Sequence, residues 1–499
     1  MIGPVPDLVI PVLAFLFLVV VPARFRKPLV ESPDGKRNTE YCFLFRIFAP
    51  KLIVMALHPG VSLNIPETSK PRVVIIGGGF GGLYAAHKID TSKFQVVLFD
   101  KRNYHTFQPL LYQVATAGLQ GDAIAGPLRT VLKKKKDFHF RLLRVLSIDD
   151  KRQTVATSIG HLHYDYLIVA NGCRSNFFGN KPMETYAFPI KSIPDALNLK
   201  SQLMQTFESA SMINDPAMLE KILTIVIVGG GPTGVETAGA LAELRKKVLP
   251  KDYPGIDFSR MHIYLVQSGD HLLAGMSEKA TDYAYKDLNK MGIEIILNAK
   301  VTSYDGSVAT LSNGQAINTL TVIWSAGVMG DIIDGLQPEW VDRNKLIVDG
   351  YCKVKGSQNI YAIGDIACQK SEKYPEGLPG VAQSAIQMGK YVAKNLWKFH
   401  KNEKVAPFRY FDKGSLATIG RGKAVCQLPN NMTFTGWFAW AVWAFIHIAF
   451  LVNFKNRIKV FFSWMWDYFT YDSGNRLIIR PYIRSNDEVT KRLVEENEY

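Results

Sequence analysis

Two stretches of this chain repeat one plan, and that plan leaves little choice of fold. Arg72 to Gly82, RVVIIGGGFGG, joins an apolar β-branched run to a glycine cluster, and Thr224 to Ala240, TIVIVGGGPTGVETAGA, does so again. Each reads as strand, tight turn and helix. Gly77, Gly79 and Gly82, then Gly229, Gly231 and Gly234, fit G-x-G-x-x-G, where glycine lets the backbone turn sharply, approach a pyrophosphate and pack helix on strand. Backbone N–H groups at such a helix start face the phosphates. Glycine clusters also make ordinary turns, but two in the same context argue for two dinucleotide-binding units. Two such sites suggest one tightly held cofactor and one visitor. FAD first and a nicotinamide second is the usual pairing, because a flavin takes a hydride and returns electrons singly or in pairs.

The strand after each loop decides what the ribose meets. FQVVLFD ends in Asp100, roughly 20 residues past the first glycine, as a ribose-binding carboxylate requires. In the second unit Arg245 to Phe258 lengthens the helix and adds a proline-containing loop, and the next strand, His262 to Gln267, ends in a neutral amide. A carboxylate there would repel the extra phosphate of NADPH. Gln267 does not, so relaxed selectivity between NADH and NADPH is expected.

Further segments point back to these units. Asn103 to Leu119, NYHTFQPLLYQVATAGL, mixes aromatics, His105 and small residues, as a segment wrapping a flavin or a core loop would. YDYLIVANG (Tyr164 to Gly172) and TVIWSAG (Thr321 to Gly327) are strands ending in small-residue turns. NIYAIGDI (Asn359 to Ile366) returns the chain to the first unit, its Gly364-Asp365 pair offering a carboxylate to a flavin's ribityl hydroxyls. LPGVAQSAIQMG opens a helix whose Gln383 and Gln387 share a face, two amides able to hydrogen-bond a carbonyl-bearing ring.

The ends of the chain raise the question of a membrane. A net charge of +15 suits nucleic acid or an anionic lipid face, and the aromatic C-terminal region favours lipid, with no nucleic acid expected. Phe434 to Val452 carries no Asp, Glu, Lys or Arg, and by hydropathy alone it is a membrane span. Asn453 to Thr470 places Phe454, Ile458, Phe461, Phe462, Met465 and Phe469 at helical spacing, with Lys455, Arg457 and Lys459 off that stripe, as in an interfacial amphipathic helix. A buried helical hairpin or a homodimer face is the competing reading. Residues 1–54 read either as a short N-terminal anchor through Leu8 to Val21 or as an extension upstream of Met55, and not as a cleaved signal peptide. The four lysines Lys133 to Lys136 read as a solvated face, and the tail after Tyr482 as polar. Five cysteines with no C-x-x-C indicate neither a metal site nor a disulfide framework.

Together, VVIIGGGFGGLYAA, YHTFQPLLYQVATAGL, IVIVGGGPTGVETAGALAEL, YAIGDIA, LPGVAQSAIQMGKYVAKN and FDKGSLATIGR resemble the type II NADH:quinone oxidoreductases, single-subunit respiratory dehydrogenases that pump no protons. The resemblance runs from about Pro71 to Leu477. It implies an α/β, glutathione-reductase-like fold of two Rossmann-like domains with the NADH domain inserted in the FAD domain: an extension at 1–70, FAD domain at 71–189 and 328–400, NAD(P)H domain at 190–327, and amphipathic membrane-anchoring helices within 401–499. It implies non-covalent FAD at Gly77, Gly79, Gly82, Asp100 and Asp365, with Phe80, Lys101, Ala170, Gly364, Ala382 and Gln383 beside it. It implies NADH at Gly229, Gly231, Gly234 and Glu236, with Gln267 and Gly327 nearby. Glu236, Gln383, Gln387 and Lys413 are the catalytic candidates, and Phe434 to Val452 lies in the interface. The setting implied is the cytoplasmic face of a bacterial inner membrane, with a membrane quinone as acceptor. Asn171 stands where related flavoproteins usually show threonine.

Two rivals follow from the same residues. A sulfide:quinone oxidoreductase shares this architecture but needs cysteines converging on the flavin, and Cys173, Cys352 and Cys368 show no matching motif. A slow-turnover NADH-sensing membrane flavoprotein would not need the AQSAIQ segment and the later lysine. A disulfide reductase needs a cysteine pair that Asn103 to Leu119 lacks.

Overall fold

Every β-branched run singled out above becomes a buried parallel strand. The first sheet is assembled from β1 (Arg72–Ile76), followed by helix α1 (Phe80–Lys88), then β2 (Gln95–Asp100). Helix α2 (Leu111–Ala115), β3 (Phe138–Leu142) and β4 (Tyr166–Val169) come next. The second sheet uses β5 (Phe188–Pro189), helix α3 (Ile193–Ala210), β6 (Ile225–Val228), helix α4 (Pro232–Glu243), β7 (Ile263–Val266), β8 (Glu294–Ile296) and β9 (Thr321–Trp324). Then β10 (Ile360–Ala362) returns to the first sheet and the long helix α5 (Ala382–His400) packs on α1. The sheet orders are β10-β4-β1-β2-β3 and β5-β9-β6-β7-β8, all parallel. Residues buried on both faces explain why these strands are continuously apolar rather than alternating. The computed structural model describes residues 60–470 other than 134, and 474–483. The alternatives for residues 1–54, part of the four-lysine run and most of the tail after Tyr482 lie outside the described residues.

The C-terminal region is a small antiparallel sheet of β11 (Ser415–Gly420), β12 (Lys423–Gln427) and β13 (Thr433–Thr435), followed by helices α6 (Gly436–Phe450) and α7 (Phe454–Thr470). Gly239 of α4 is what lets β11 come close: a Cβ there would sit 1.8 Å from the Ile419 carbonyl oxygen. Trp443 and Val460, from α6 and α7, are buried in the same apolar core as Val235, Leu241 and Ile263 of the second unit. The last helices are thus built into that unit, not hung from it.

Two expectations are corrected here. Read as a span, Phe434 to Val452 fails: its helix has 15 residues, about 22 Å at 1.5 Å per residue, against about 30 Å of hydrocarbon. Among the described residues no helix is long and apolar enough to cross a membrane. The segment is apolar all round because one face, with Ala439, Trp443 and His447, is buried against protein, while Trp437 and Phe445 are exposed (61% and 74%). His447 carries no charge at neutral pH, since burial pulls its pKa down to about 4 against the Trp443 carbonyl that its Nδ1 bonds at 2.7 Å. The apolar run Ile222 to Val228 reads in the sequence as the second unit's first strand, but that strand begins only at Ile225, because Thr224 turns its hydroxyl back to the Glu220 carbonyl and ends a helix, Pro216–Leu223.

Candidate functional site

The first glycine loop is shaped by contacts that only hydrogen side chains allow. Gly77 has φ +100°, and a Cβ on it would come 2.5 Å from the Ala170 carbonyl oxygen; on Gly82 it would lie 1.8 Å from that of Gly77. Gly79, by contrast, faces open space, which is where a pyrophosphate would approach the helix start. At the end of β2, Asp100 accepts from the Gly78 N–H at 2.5 Å and the Arg102 N–H at 2.7 Å. Burial raises its pKa and those two bonds oppose the rise. Gly77, Asp100, Lys101, Arg144, Asn171 and Asp331 line one groove beside this loop. Asp331 gathers Lys101 and Arg174 at 3.6 and 3.9 Å. The Asn171 side-chain carbonyl oxygen there is buried without a partner. A cradle open at Gly79, a fixed carboxylate and an orphaned acceptor fit the adenosine diphosphate half of FAD.

The flavin end is marked by Asp365. Gly364 has φ +75° and puts Asp365 beside Gly380, just before α5, whose first residue is Ala382. Lys191 Nζ lies 3.6 Å from the Asp365 carboxylate, and the Cys173 thiol donates to it at 3.0 Å. Burial, then the Asp365 charge, pushes the Cys173 pKa up to about 12, so this cysteine is a hydrogen-bond donor and not a thiolate. Burial works against the Lys191 charge, but Cys173 and Asp365 outweigh it and its pKa is raised. Phe80, the first residue of α1, sits edge-on to His105 and Phe107 at 4.8 and 5.8 Å between centroids, which ties the expected flavin-wrapping segment to the loop.

The second loop repeats the first. Gly229 has φ +107°, a Cβ on Gly234 would lie 1.8 Å from the Gly229 carbonyl oxygen, and Gly231 again faces open space. Gln267 supplies its Oε1 to the Gly230 N–H at 2.8 Å. Gly327 (φ +108°) closes the turn after β9, where a Cβ would strike the Phe178 ring at 2.8 Å. Four residues into α4 stands Glu236, only 8% exposed. Burial drives its pKa well above the carboxylate range, opposed by the Thr418 N–H and the Trp443 indole. The Thr418 contact is 3.5 Å, and the Trp443 Nε1, itself buried, completes no hydrogen bond. Burial of this kind favours the protonated form of the carboxyl.

Gln383 and Gln387 are not waiting amides. Gln383 donates to Asp412 Oδ1 and the Gly414 carbonyl at 3.3 and 3.1 Å and accepts from the Lys413 N–H at 2.9 Å. Gln387 donates to the Phe411 carbonyl at 2.8 Å and accepts from its N–H at 3.0 Å. Both side chains therefore pin the backbone of 411–414, and with it Lys413, whose ammonium lies 5.9 Å over the Phe450 ring at the end of α6. From this pinned segment β11 runs directly to Thr418 and Glu236. One strand joins the glutamines' end of the site to the second nucleotide helix.

The model of the pyridine nucleotide-disulphide oxidoreductases matches residues 71–389, and that of the NDH2 C-terminal domain matches 413–470. The type II NADH:quinone oxidoreductase Ndh of Mycobacterium tuberculosis is 38% identical over 409 residues, covering 79% of this chain and 87% of that protein. The chain belongs to the type II NADH:quinone oxidoreductase family. NDH2 from Plasmodium falciparum in complex with NADH shares its fold, with a TM-score of 0.76 at 23% identity, covering 82% of this chain and 100% of that one. The sulfide:quinone oxidoreductase of Aquifex aeolicus shares the fold less closely, with a TM-score of 0.61 at 20% identity, covering 86% and 95%. Within the type II fold, sequence reasoning missed Lys191 and Asp331, which no local motif marks. It also missed Tyr112 and Glu243, which line one cleft with Glu236; Glu243, seven residues on, is legible from helical periodicity.

Proposed function

We propose that this chain oxidises NADH with its bound FAD and passes the electrons to a quinone held at a membrane surface, without pumping protons. The observation that carries the reading is the pair of matched glycine loops, the first leading to Asp365 and the second continued by Glu236 against the C-terminal sheet. When bound, FAD supplies the two-electron acceptor and donor. The loop of Gly77, Gly79 and Gly82 holds its diphosphate and Asp100 its ribose. Asp365, with Lys191 Nζ 3.6 Å from its carboxylate, orients the ribityl chain. The loop of Gly229, Gly231 and Gly234 seats NADH, with Gln267 at the ribose. Gln267 spends its oxygen on the loop and leaves an N–H donor rather than a negative charge facing the ribose, so NADPH is accepted as well. Positioning does most of the work: Gln383 and Gln387 fix Lys413 beside the quinone, and Glu236 holds the proton that reduction of a quinone carbonyl requires. Cys173, kept protonated by burial, is unsuited to persulfide chemistry.

The lipid face is the stripe Phe454, Ile458, Phe461, Phe462, Met465 and Phe469 of α7, all exposed, with Trp437 and Phe445 of α6. So much exposed apolar surface marks an interface. The opposite side of α7 is docked on protein, with Trp464 Nε1 donating to Gln113 at 2.8 Å and Lys459 paired with Asp122 at 2.9 Å. A homodimer through the same stripe is the competing occupant. The test of the activity is anaerobic mixing with NADH, then with a short-chain quinone, followed by flavin absorbance. Rapid bleaching and rapid return are expected. Bleaching by NADH with no return on quinone would overturn the reading. For the lipid face, replacing Trp437, Phe445, Trp466 and Phe469 by serine should abolish flotation with liposomes while the flavin spectrum stays unchanged.

A further inference from the structure

The net reaction, NADH + H⁺ + quinone → NAD⁺ + quinol, takes one proton from water at each turnover besides the hydrogen that leaves NADH as hydride. Glu236 can give one proton, but it is buried and must be refilled. The cleft that Glu236 lines also holds Tyr112, Glu243, Arg421 and Asp467, and its walls come from α2, α4, the β11–β12 turn, α6 and α7. Glu243 ends α4, two turns beyond Glu236, about 10 Å along the same helix face. A π-helical turn, Leu244–Val248, follows it directly and lines the cleft too, a distortion common at functional sites. Tyr112 is 4% exposed and lines the cleft together with both carboxyls; burial raises its pKa, and its hydroxyl accepts from the Gln113 side-chain amide at 2.9 Å.

We propose that Glu243 is the intake of a proton path that refills Glu236 through this cleft, with the Tyr112 hydroxyl between them. The inference rests on the quinone-reductase reading. Glu243 acts through Glu236 and touches no substrate. Around it are Arg421 on the β11–β12 turn and Lys423 at the start of β12, with Tyr112 on α2 and Asp467 and Tyr468 on α7 lining the same cleft. Burial lifts its pKa, and the Arg421 N–H, then the Arg421 and Lys423 charges, hold the rise in check. Lys423 is shared with Asp287 at 3.6 Å. The Arg421 guanidinium donates to the Tyr468 carbonyl at 2.9 Å and to that of Asp467.

The competing role for Glu243 is purely structural, since its carboxylate accepts from the Arg421 backbone N–H and so pins the turn. Glu243→Gln keeps that acceptor and removes only the transferable proton. In stopped-flow measurements on the full-length, FAD-loaded protein, flavin reduction by NADH should keep its wild-type rate. Reoxidation by a short-chain quinone should slow about tenfold at pH 8 and less at pH 6, where protons are more abundant. Added formate or imidazole should restore it, and Glu243→Asp should restore it in part. Wild-type reoxidation by Glu243→Gln from pH 6 to 9 would overturn the path. So would a uniform slowing that no weak acid rescues and that Glu243→Ala shares, which identifies a clamp. A wild-type flavin that no quinone reoxidises would overturn the function itself, and the path with it.

Discussion

At the end of β2 the Asp100 carboxylate holds the Gly78 N–H at 2.5 Å, and at the end of β7 the Gln267 amide oxygen holds the Gly230 N–H at 2.8 Å. The two side chains do the same mechanical work on the same backbone turn. What they would present to the proposed ribose differs: a carboxylate in the first unit and a neutral amide in the second. The comparison separates two things that a glycine fingerprint conflates, namely holding the loop's shape and choosing the nucleotide. Shape needs only an acceptor of the right length. Choice depends on charge.

The strongest way to break the comparison is to break each loop's geometry in turn. Gly82→Ala and Gly234→Ala both force a methyl to within 1.8 Å of a carbonyl oxygen, a clash that costs about 3 kcal/mol or more. The first should yield protein without flavin. The second should retain flavin absorbance and raise the KM for NADH more than tenfold. Loss of flavin from the second variant would show that the loops are not independent. Next in size is Glu236→Gln. Burial shifts the native carboxyl toward its protonated form, so quinone-driven reoxidation should fall as pH rises through its raised pKa. The variant should be about tenfold slower or more below it and show no such dependence; a retained pH limb would assign the proton elsewhere. Asp100→Asn keeps an acceptor for Gly78 and removes the charge, so FAD should bind about tenfold more weakly, or about 1.4 kcal/mol, in dialysis measurements. Gln267→Glu should raise the KM for NADPH about tenfold and leave that for NADH nearly unchanged, which sharpens the claim that charge and not shape selects. Equal treatment of both nucleotides by the two proteins would sink it. The smallest effect is expected from Asn171→Thr, within about threefold of native turnover, because threonine offers the groove a similar acceptor.

Both parallel sheets and their order along the chain were legible because the β-branched runs are long and the glycines sit at fixed spacings after them. Loop-shaping residues were legible for the same reason. What could not be read was direction. Gln383 and Gln387 share a helix face in the sequence, yet nothing in it says that the 411–414 backbone, far along the chain, occupies both amides. The Asp331 carboxylate, reached by cations from three separate segments, likewise belongs to no motif. Hydropathy misjudged Phe434 to Val452 because it sums over all faces of a helix, and here Trp443 faces protein while Phe445 faces out. The amphipathic stripe of α7 was read correctly because its apolar and basic residues already separate at helical spacing.

The shared core of α6, α7 and the second nucleotide unit also bears on how the molecule is made. The nucleotide-binding unit that begins at β5 cannot close its interior on its own strands and helices alone, because Trp443, Leu451 and Val460, far along the chain, are buried in its core. Folding of that unit is therefore tied to the helices that carry the exposed apolar stripe. A chain stopped short of Thr435 should be recovered as aggregate or degraded rather than as a soluble dehydrogenase.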